Sequence, residues 1–243
     1  MTEQYVNSGG ARLWTFETGQ GVPVMLCSGG PGYCDYLRPV AELINDMARV
    51  IRFEQRGCGR SPARPPYDVH TCVQDLDIIR QYYNFDRWII GGHSWGADLA
   101  LAYALQYPTR VLGLICIAGG RINNDREWHK EYRRNRVEKG EQLPVFDYPP
   151  NYSVNELINT SWRKYIQRSD LPATISQMTI PALFIYGDED IRPSWPVEQL
   201  ANLMPKATYI SVAGAAHYLW FTHSTLLKRH LTEFFDTVNR ERS

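Results

Sequence analysis

The pattern of apolar and polar positions predicts short strands that alternate with amphipathic helices along most of the chain. Residues 12–17 alternate in polarity like a half-buried strand, and residues 22–27 form an apolar run that ends at the breaker cluster Ser-Gly-Gly-Pro-Gly. The other predicted strands cover residues 49–54, 87–92, 111–117, 182–186 and 207–212, and the predicted helices cover residues 36–47, 73–83, 99–107, 197–203 and 223–238. This alternation predicts an α/β fold with a mainly parallel central sheet flanked by helices.

Residues 121–179 interrupt the alternation. They are rich in long polar and aromatic side chains, and Tyr148-Pro149-Pro150 divides them into two halves. We predict that they form a small helical lid (cap) insertion, while residues 1–120 and 180–243 form one core domain. The lid would cover the carboxyl ends of the strands, which is where parallel sheets carry their chemistry.

Composition and charge exclude some classes of protein. Hydrophobic residues make up 44% of the chain and charged residues 21%, as in ordinary globular proteins. The 26 Lys and Arg balance the 26 Asp and Glu, so we expect no nucleic-acid or membrane partner. No signal peptide is expected at the N-terminus, and the five cysteines lack the spacing of zinc ligands. These features predict a cytoplasmic protein with reduced thiols, either a monomer or a homodimer.

The strongest chemical signal is Gly92-His93-Ser94-Trp95-Gly96. It follows an apolar strand and opens a helix rich in Ala and Leu, which is the context of a nucleophile elbow. Glycines at both ends leave room for a serine on a sharp turn, at the N-terminus of a helix where negative charge is favoured. We therefore predict that Ser94 is a catalytic nucleophile.

A serine hydroxyl needs a base to remove its proton and an acid to orient that base. His217 follows a strand in a loop of small residues and is the favoured base, with His223 as the alternative. Asp190 follows residues 182–187 and is the favoured acid, with Asp188 as the alternative. His93 precedes Ser94 on the strand and is expected to point away.

Two backbone N–H groups must face the oxygen that becomes negative during the reaction. The N–H of Trp95, directly after the nucleophile, is the first candidate. The second should come from the glycine-rich turn after residues 22–27, because glycine allows close approach of a substrate. Gly30 is the favoured donor there, and Gly29 is the alternative.

Three segments together resemble the proline iminopeptidase-like branch of the α/β-hydrolase fold superfamily. They are Gly29-Gly30-Pro31-Gly32, the stretch from Glu54 to Ser61, and Gly91 to Gly96. The resemblance covers roughly residues 20–120 and 180–220. It implies hydrolysis of an amide or ester through an acyl-enzyme, with no cofactor and no metal.

The chain departs from this family at several positions. Ser28, Glu54 and Asp98 stand where the family usually has His, Asp and a small residue or Thr. True iminopeptidases have a larger lid whose acidic residues hold the substrate's ammonium group. Glu127, Glu131 and Glu156 are the candidates for that role here, although the sequence favours solvated positions in the lid for each of them. Glu54 and Arg56 are expected to form a supporting ion pair beneath the oxyanion loop.

The sequence thus predicts a serine hydrolase that acts on a small ester, amide or short peptide. An N-terminal aminopeptidase and a carboxylesterase or lactonase are the two versions of this function. A catalytically silent ligand-binding protein on the same fold is the alternative of a different class.

Overall fold

An eight-stranded sheet forms the centre of the computed structural model, which describes residues 2–122 and 125–242. The strands are β1 (Thr2–Ser8), β2 (Ala11–Thr18), β3 (Val22–Cys27), β4 (Ala48–Phe53), β5 (Trp88–His93), β6 (Val111–Ile117), β7 (Ala182–Gly187) and β8 (Ala207–Val212). Their order in the sheet is β1-β2-β4-β3-β5-β6-β7-β8. Pairs β1–β2 and β2–β4 are antiparallel, and β4, β3, β5, β6, β7 and β8 run parallel. The predicted α/β class with a mainly parallel sheet is confirmed.

The helices pack against this sheet and against one another. They are α1 (Arg38–Ile44), α2 (Val69–Tyr82), α3 (Trp95–Gln106), α4 (Arg126–Glu138), α5 (Tyr152–Tyr165), α6 (Leu171–Ser176), α7 (Trp195–Leu203) and α8 (Ser224–Arg242). Side-chain caps set several of their starts: Asp68 accepts a hydrogen bond from the Thr71 N–H at α2, and Asn151 accepts one from the Val154 N–H at α5. Local sequence chemistry therefore places these helix ends.

The core lies along the central strands, which carry continuous apolar runs. Every residue of β5, β6 and β7 is buried, as expected for parallel strands covered on both faces. The edge strand β1 was not predicted, since only Val6 and Ser8 of it are buried and its remaining side chains are mostly polar. Pairing with β2 fixes the register of β1 in the sheet, through seven residue pairs between the two strands.

Helices α4, α5 and α6 lie between β6 and β7, where the sequence predicts the lid. Asn151 donates its backbone N–H to the carbonyl of Gly32 at 2.7 Å, and the Asn155 side chain donates to the carbonyl of Pro31 at 2.6 Å. The start of α5 is therefore tied to the glycine-rich turn after β3. The division into a core domain and a lid domain stays a prediction, and residues 1, 123, 124 and 243 of the predicted ranges lie outside the described residues.

All five cysteines are buried and free of disulfide bonds. Burial raises the pKa of the Cys58 thiol to about 12, which keeps it protonated and unreactive. In the described part of the chain, no helix is both long enough and apolar enough to cross a bilayer.

Candidate active site

Ser94 lies at a sharp turn between β5 and α3. Its backbone has φ 56° and ψ −126°, a strained conformation for a residue with a side chain. The turn is possible because its neighbours are glycines: a Cβ on Gly96 would lie 2.0 Å from the carbonyl oxygen of Cys27, and one on Gly92 would lie 2.4 Å from the backbone of Gly96. The Ser94 side chain makes no capping hydrogen bond to α3. The structure thus places Ser94 in the predicted strand-turn-helix context.

His217 and Asp190 meet at the carboxyl ends of β7 and β8. The Nδ1 atom of His217 lies 2.5 Å from Oδ2 of Asp190, and both side chains are buried. The other oxygen of Asp190 accepts the backbone N–H of Arg192 at 2.9 Å and faces its guanidinium at 3.2 Å. Burial alone would raise the pKa of Asp190, but the contacts with His217 and Arg192 outweigh it and lower that pKa.

The alternative acid and base have other partners. Asp188 accepts the backbone N–H of Gly214 at 2.7 Å, which closes the turn before His217. His223 lies directly before α8, and its Nδ1 lies 2.8 Å from the hydroxyl of Thr222. The geometry therefore favours the pair of Asp190 and His217 over these residues.

Ser94 and His217 line one cavity of about 540 Å³, together with Gly29, Gly30 and Trp95. Much of its wall is aromatic. These side chains come from the loop after β3, from α4, α5 and the segment between them, from β7, and from the loop that contains His217: Tyr33, Tyr36, Trp128, Tyr132, Phe146, Trp162, Tyr186 and Tyr218. All the predicted oxyanion donors and two of the three predicted catalytic residues thus face the same space, and Asp190 reaches it through His217.

The glycine-rich turn contains two candidate oxyanion donors, Gly29 and Gly30, and their contacts distinguish them. The N–H of Gly29 is already used, because it donates to the hydroxyl of Tyr36 at 2.8 Å. Gly30 has φ +60°, a conformation that favours glycine, and it lines the cavity. Trp95 is the first residue of α3, where backbone N–H groups have no acceptor within the helix. Gly30 and Trp95 therefore remain the better pair of donors.

His93 is fully buried, and it connects both halves of the site. Its Nδ1 lies 2.7 Å from the hydroxyl of Tyr36, and its Nε2 lies 3.0 Å from the carbonyl oxygen of His217. Burial and the neighbouring His217 lower its pKa well below the usual range, so the ring is neutral. From the sequence, His93 was expected only to point away from the site, and this connecting role was not predicted.

The predicted ion pair between Glu54 and Arg56 is wrong. Glu54 is paired with the guanidinium of Arg60 at 2.5 Å and accepts the backbone N–H of Asp35 at 3.1 Å. Arg56 instead pairs with Asp75 through two hydrogen bonds of 2.7 Å. The two side chains are near in sequence but have different partners: Glu54 bonds residues of two loops, whereas Arg56 reaches Asp75 on α2.

The charges that line the cavity could not be read from local sequence. Within the described part of the chain they come from Arg121, Arg136 and Arg192, with the carboxylates of Asp98 and Glu141. Asp98, four residues after the nucleophile, departs from the family pattern, and this departure was the sequence signal for a charge in the cavity. Its Oδ1 accepts the N–H groups of Gly120 and Arg121 at 2.8 and 3.0 Å. Burial raises the pKa of Asp98 to about 7, although Arg121 and these N–H groups oppose the shift.

The acidic residues proposed to hold an ammonium group do not line the cavity. Glu127 and Glu131 pair with Lys130 and Arg134 on the exposed side of α4. Glu156 lies on an exposed position of α5. The structure therefore gives none of these three residues a place beside Ser94.

One group of side chains in the described residues has the composition of a metal site. Donor atoms of Glu141, Asp190 and His217 lie within 4.8 Å of one another. The guanidinium of Arg192 already contacts both carboxylates, and the Nδ1 of His217 is bonded to Asp190. The positive charge that these acids require is thus supplied by the chain itself.

Comparison with known proteins places this geometry in a family. The α/β-hydrolase fold family matches residues 22–149. A proline iminopeptidase of Neisseria gonorrhoeae is 37% identical over 98 residues, which cover 39% of this chain and 32% of that relative. Matches of this kind span about a third of the relatives' own length. A proline iminopeptidase of Heyndrickxia coagulans is 26% identical over 89% of this chain and 92% of that protein.

Solved structures share the fold over the whole chain. A thermophilic esterase from Thermogutta terrifontis has a TM-score of 0.76 at 20% identity, covering 98% of both chains. A proline iminopeptidase of Mycobacterium smegmatis has a TM-score of 0.78 at 15% identity, covering both chains fully. The chain therefore belongs to the α/β-hydrolase fold family and, within it, resembles the proline iminopeptidases.

Proposed function

We propose that this protein is a serine hydrolase that cleaves a small ester or amide through an acyl-enzyme. The observation that carries the proposal is the buried 2.5 Å contact between His217 and Asp190 on the wall of the cavity that Ser94 lines. A buried carboxylate on Nδ1 leaves Nε2 as the nitrogen that can accept a proton.

The reaction begins when the Ser94 oxygen attacks the substrate carbonyl and His217 accepts its proton. The N–H groups of Gly30 and Trp95 stabilise the negative oxygen of the tetrahedral intermediate. His217 then gives the proton to the leaving alcohol or amine, which departs and leaves the acyl group on Ser94. A water, activated by His217, hydrolyses this ester and restores the serine. Asp190 holds the imidazole in one tautomer and stabilises its charged form throughout.

The version with ester specificity has the better support. An aminopeptidase needs acids near the nucleophile to hold an ammonium group, and Glu127, Glu131 and Glu156 lie outside the cavity. The two carboxylates of the described residues that do line it have partners already: Glu141 pairs with Arg192, and Asp98 accepts two backbone N–H groups. The likeness to proline iminopeptidases keeps the peptidase version as the second candidate. Turnover of a proline arylamide at a rate comparable to short-chain nitrophenyl esters would favour the peptidase.

A fluorophosphonate probe tests the proposal directly. We expect the native protein to be labelled and to hydrolyse 4-nitrophenyl acetate, and Ser94→Ala to lose both properties. Ser176→Ala is the matched control, because Ser176 is exposed and bonds only the carbonyl of Ala173. Native protein that neither labels nor turns over any ester would instead support the silent ligand-binding protein.

A further inference from the structure

Two arginines lie on one wall of the cavity, on the side formed by β6 and α4. Arg121 follows Gly119, where a Cβ would lie 2.1 Å from the carbonyl oxygen of Ser94, so this stretch of chain runs directly beside the nucleophile. Arg136 lies on α4, and Trp128, Tyr132 and Arg136 are spaced four residues apart and all line the cavity. One face of α4 is therefore turned toward the cavity.

The aromatic side chains on this wall hold the first arginine in place. The guanidinium of Arg121 lies 3.7 Å from the ring centroid of Trp128, and Trp128 stacks on Tyr132 with centroids 5.3 Å apart. Arg121 keeps its own contacts, including the attraction to Asp98, and it contributes positive charge to this wall.

Among the described residues, the two carboxylates that line the cavity offset its three arginines only in part. Glu141 is held by the guanidinium of Arg192, on the side of Asp190 and His217. Asp98 attracts Arg121 and offsets part of its charge, while one of its oxygens accepts two backbone N–H groups. The wall formed by Arg121 and Arg136 is thus cationic, and it repels a substrate ammonium group.

We propose that this wall binds a carboxylate carried by the substrate, with Arg121 and Arg136 as the residues that recognise it. The inference rests on the proposed hydrolase function and names its substrate class, an ester or amide whose acyl or leaving group bears a carboxylate. The guanidinium of Arg136 can bind a carboxylate through paired, charge-assisted hydrogen bonds, and Arg121 adds its positive charge beside it. The carboxylate takes no part in bond making; it positions the neighbouring carbonyl at Ser94.

The test compares pairs of esters that differ in one charge. One pair places the carboxylate on the acyl group, as in the 4-nitrophenyl half-ester of adipate against 4-nitrophenyl hexanoate. The other places it on the leaving group, as in 4-acetoxybenzoate against its methyl ester. We expect the charged member of at least one pair to have a kcat/KM about tenfold higher, the factor that one well-placed charged contact supplies.

Variants of α4 link the preference to the wall. Arg136 is exposed, so Arg136→Gln should fold normally, and we expect it to reduce the charged-to-neutral ratio by about fivefold or more while Arg136→Lys retains part of it. Arg133→Gln on the same helix is the control, because Arg133 does not line the cavity, and its ratio should equal that of the native protein. A native preference for the neutral member of both pairs, or a ratio that Arg136→Gln leaves unchanged, would overturn the proposal.

Binding to Ser94→Ala separates this proposal from the hydrolase function. If native protein turns over no ester but calorimetry shows that Ser94→Ala binds the adipate half-ester, and Ser94→Ala with Arg136→Gln does not, the anion site stands and the hydrolase function fails. If esters are hydrolysed without charge preference, the hydrolase function stands and the anion site fails.

Discussion

The imidazole of His93 has two neighbours that determine its tautomer. The carbonyl oxygen of His217 can only accept, so Nε2 of His93 carries the proton and donates it. Nδ1 is then an acceptor, and the hydroxyl of Tyr36 must donate to it while accepting the N–H of Gly29. A single chain of hydrogen bonds therefore joins the glycine-rich turn after β3 to the loop that carries His217.

Tyr36→Phe should break this chain at its middle. The change leaves the Gly29 N–H and Nδ1 of His93 without partners in a buried site, which we expect to lower the free energy of unfolding by about 1–3 kcal/mol. Because both loops lose a fixed neighbour, kcat should fall by about tenfold. Urea denaturation and ester kinetics measure the two effects. Tyr82→Phe is the control, since Tyr82 is exposed and its hydroxyl makes one long contact of 3.4 Å; equal losses in both variants would contradict the role of Tyr36.

Asp98 should make stability depend on pH in an unusual direction. Burial raises its pKa to about 7, so between about pH 4 and pH 7 the folded protein keeps a proton that the unfolded chain has released. Its contribution to the free energy of unfolding therefore falls as pH rises through this window, by about 1 kcal/mol per pH unit. Asp98→Asn cannot ionise and lacks this slope. Denaturant unfolding of both proteins from pH 4.5 to 7.5 measures it, and a difference in stability that stays constant with pH would contradict the shift.

At the scale of elements, the segment after α4 is tied to the loop after β7. Glu141 lies in that segment, and its side chain, 18% exposed, pairs with Arg192, which in turn contacts Asp190. Through Arg192, the segment between α4 and α5 therefore supports the orientation of Asp190, which bonds His217. The 3.0 Å pair of Lys139 with Glu189 adds a second tie, which is more exposed and so contributes less.

Glu141→Gln should loosen the tie between these elements. The amide cannot balance the guanidinium of Arg192, so we expect kcat/KM to fall by about three- to tenfold and backbone hydrogen exchange to rise in residues 139–147. Mass-spectrometric exchange and ester kinetics check this. Glu138→Gln removes the same charge at an exposed position that pairs with Arg134. A comparable loss in that variant would show that the loss of any negative charge in this region has the effect, which would contradict a specific role for Glu141.

The starts of the elements around Ser94 were largely predictable. A strand of consecutive apolar residues followed by glycines leaves few conformations for the turn, because a Cβ at Gly96 would overlap the carbonyl of Cys27. Strand β1 and the shorter span of α1 were not predictable, since β1 is mostly exposed and is ordered by pairing with β2 rather than by its own pattern.

At the scale of the whole molecule, basic and acidic residues are equal in number, so a strong preference for charged substrates must arise from charges near the site. The 26 basic and 26 acidic residues leave no net charge to attract an anion from a distance. The cationic wall of Arg121 and Arg136 acts only within the cavity.

Salt should therefore separate charged from neutral substrates. Raising the salt concentration from about 0.02 to 0.5 M shortens the screening length several-fold, and we expect it to lower kcat/KM for the charged ester by about threefold while the neutral ester changes little. Arg136→Gln should show a weaker salt dependence than the native protein. Stopped-flow or plate-reader kinetics at several salt concentrations measure this, and parallel salt curves for the two esters would contradict a charged wall.

The sequence by itself determined the alternating strands and helices, the elbow at Ser94, and the choice of Asp190 and His217, because each depends on local sterics and on position at the end of a strand. Only the tertiary structure decided which charges face the substrate. Arg121, Arg136 and Arg192 are separated by up to 71 positions and come together through the packing of α4 and the loops after β6 and β7. The three glutamates considered as candidates for an ammonium site lie outside the cavity, since the direction of a side chain on a helix follows from what that helix packs against.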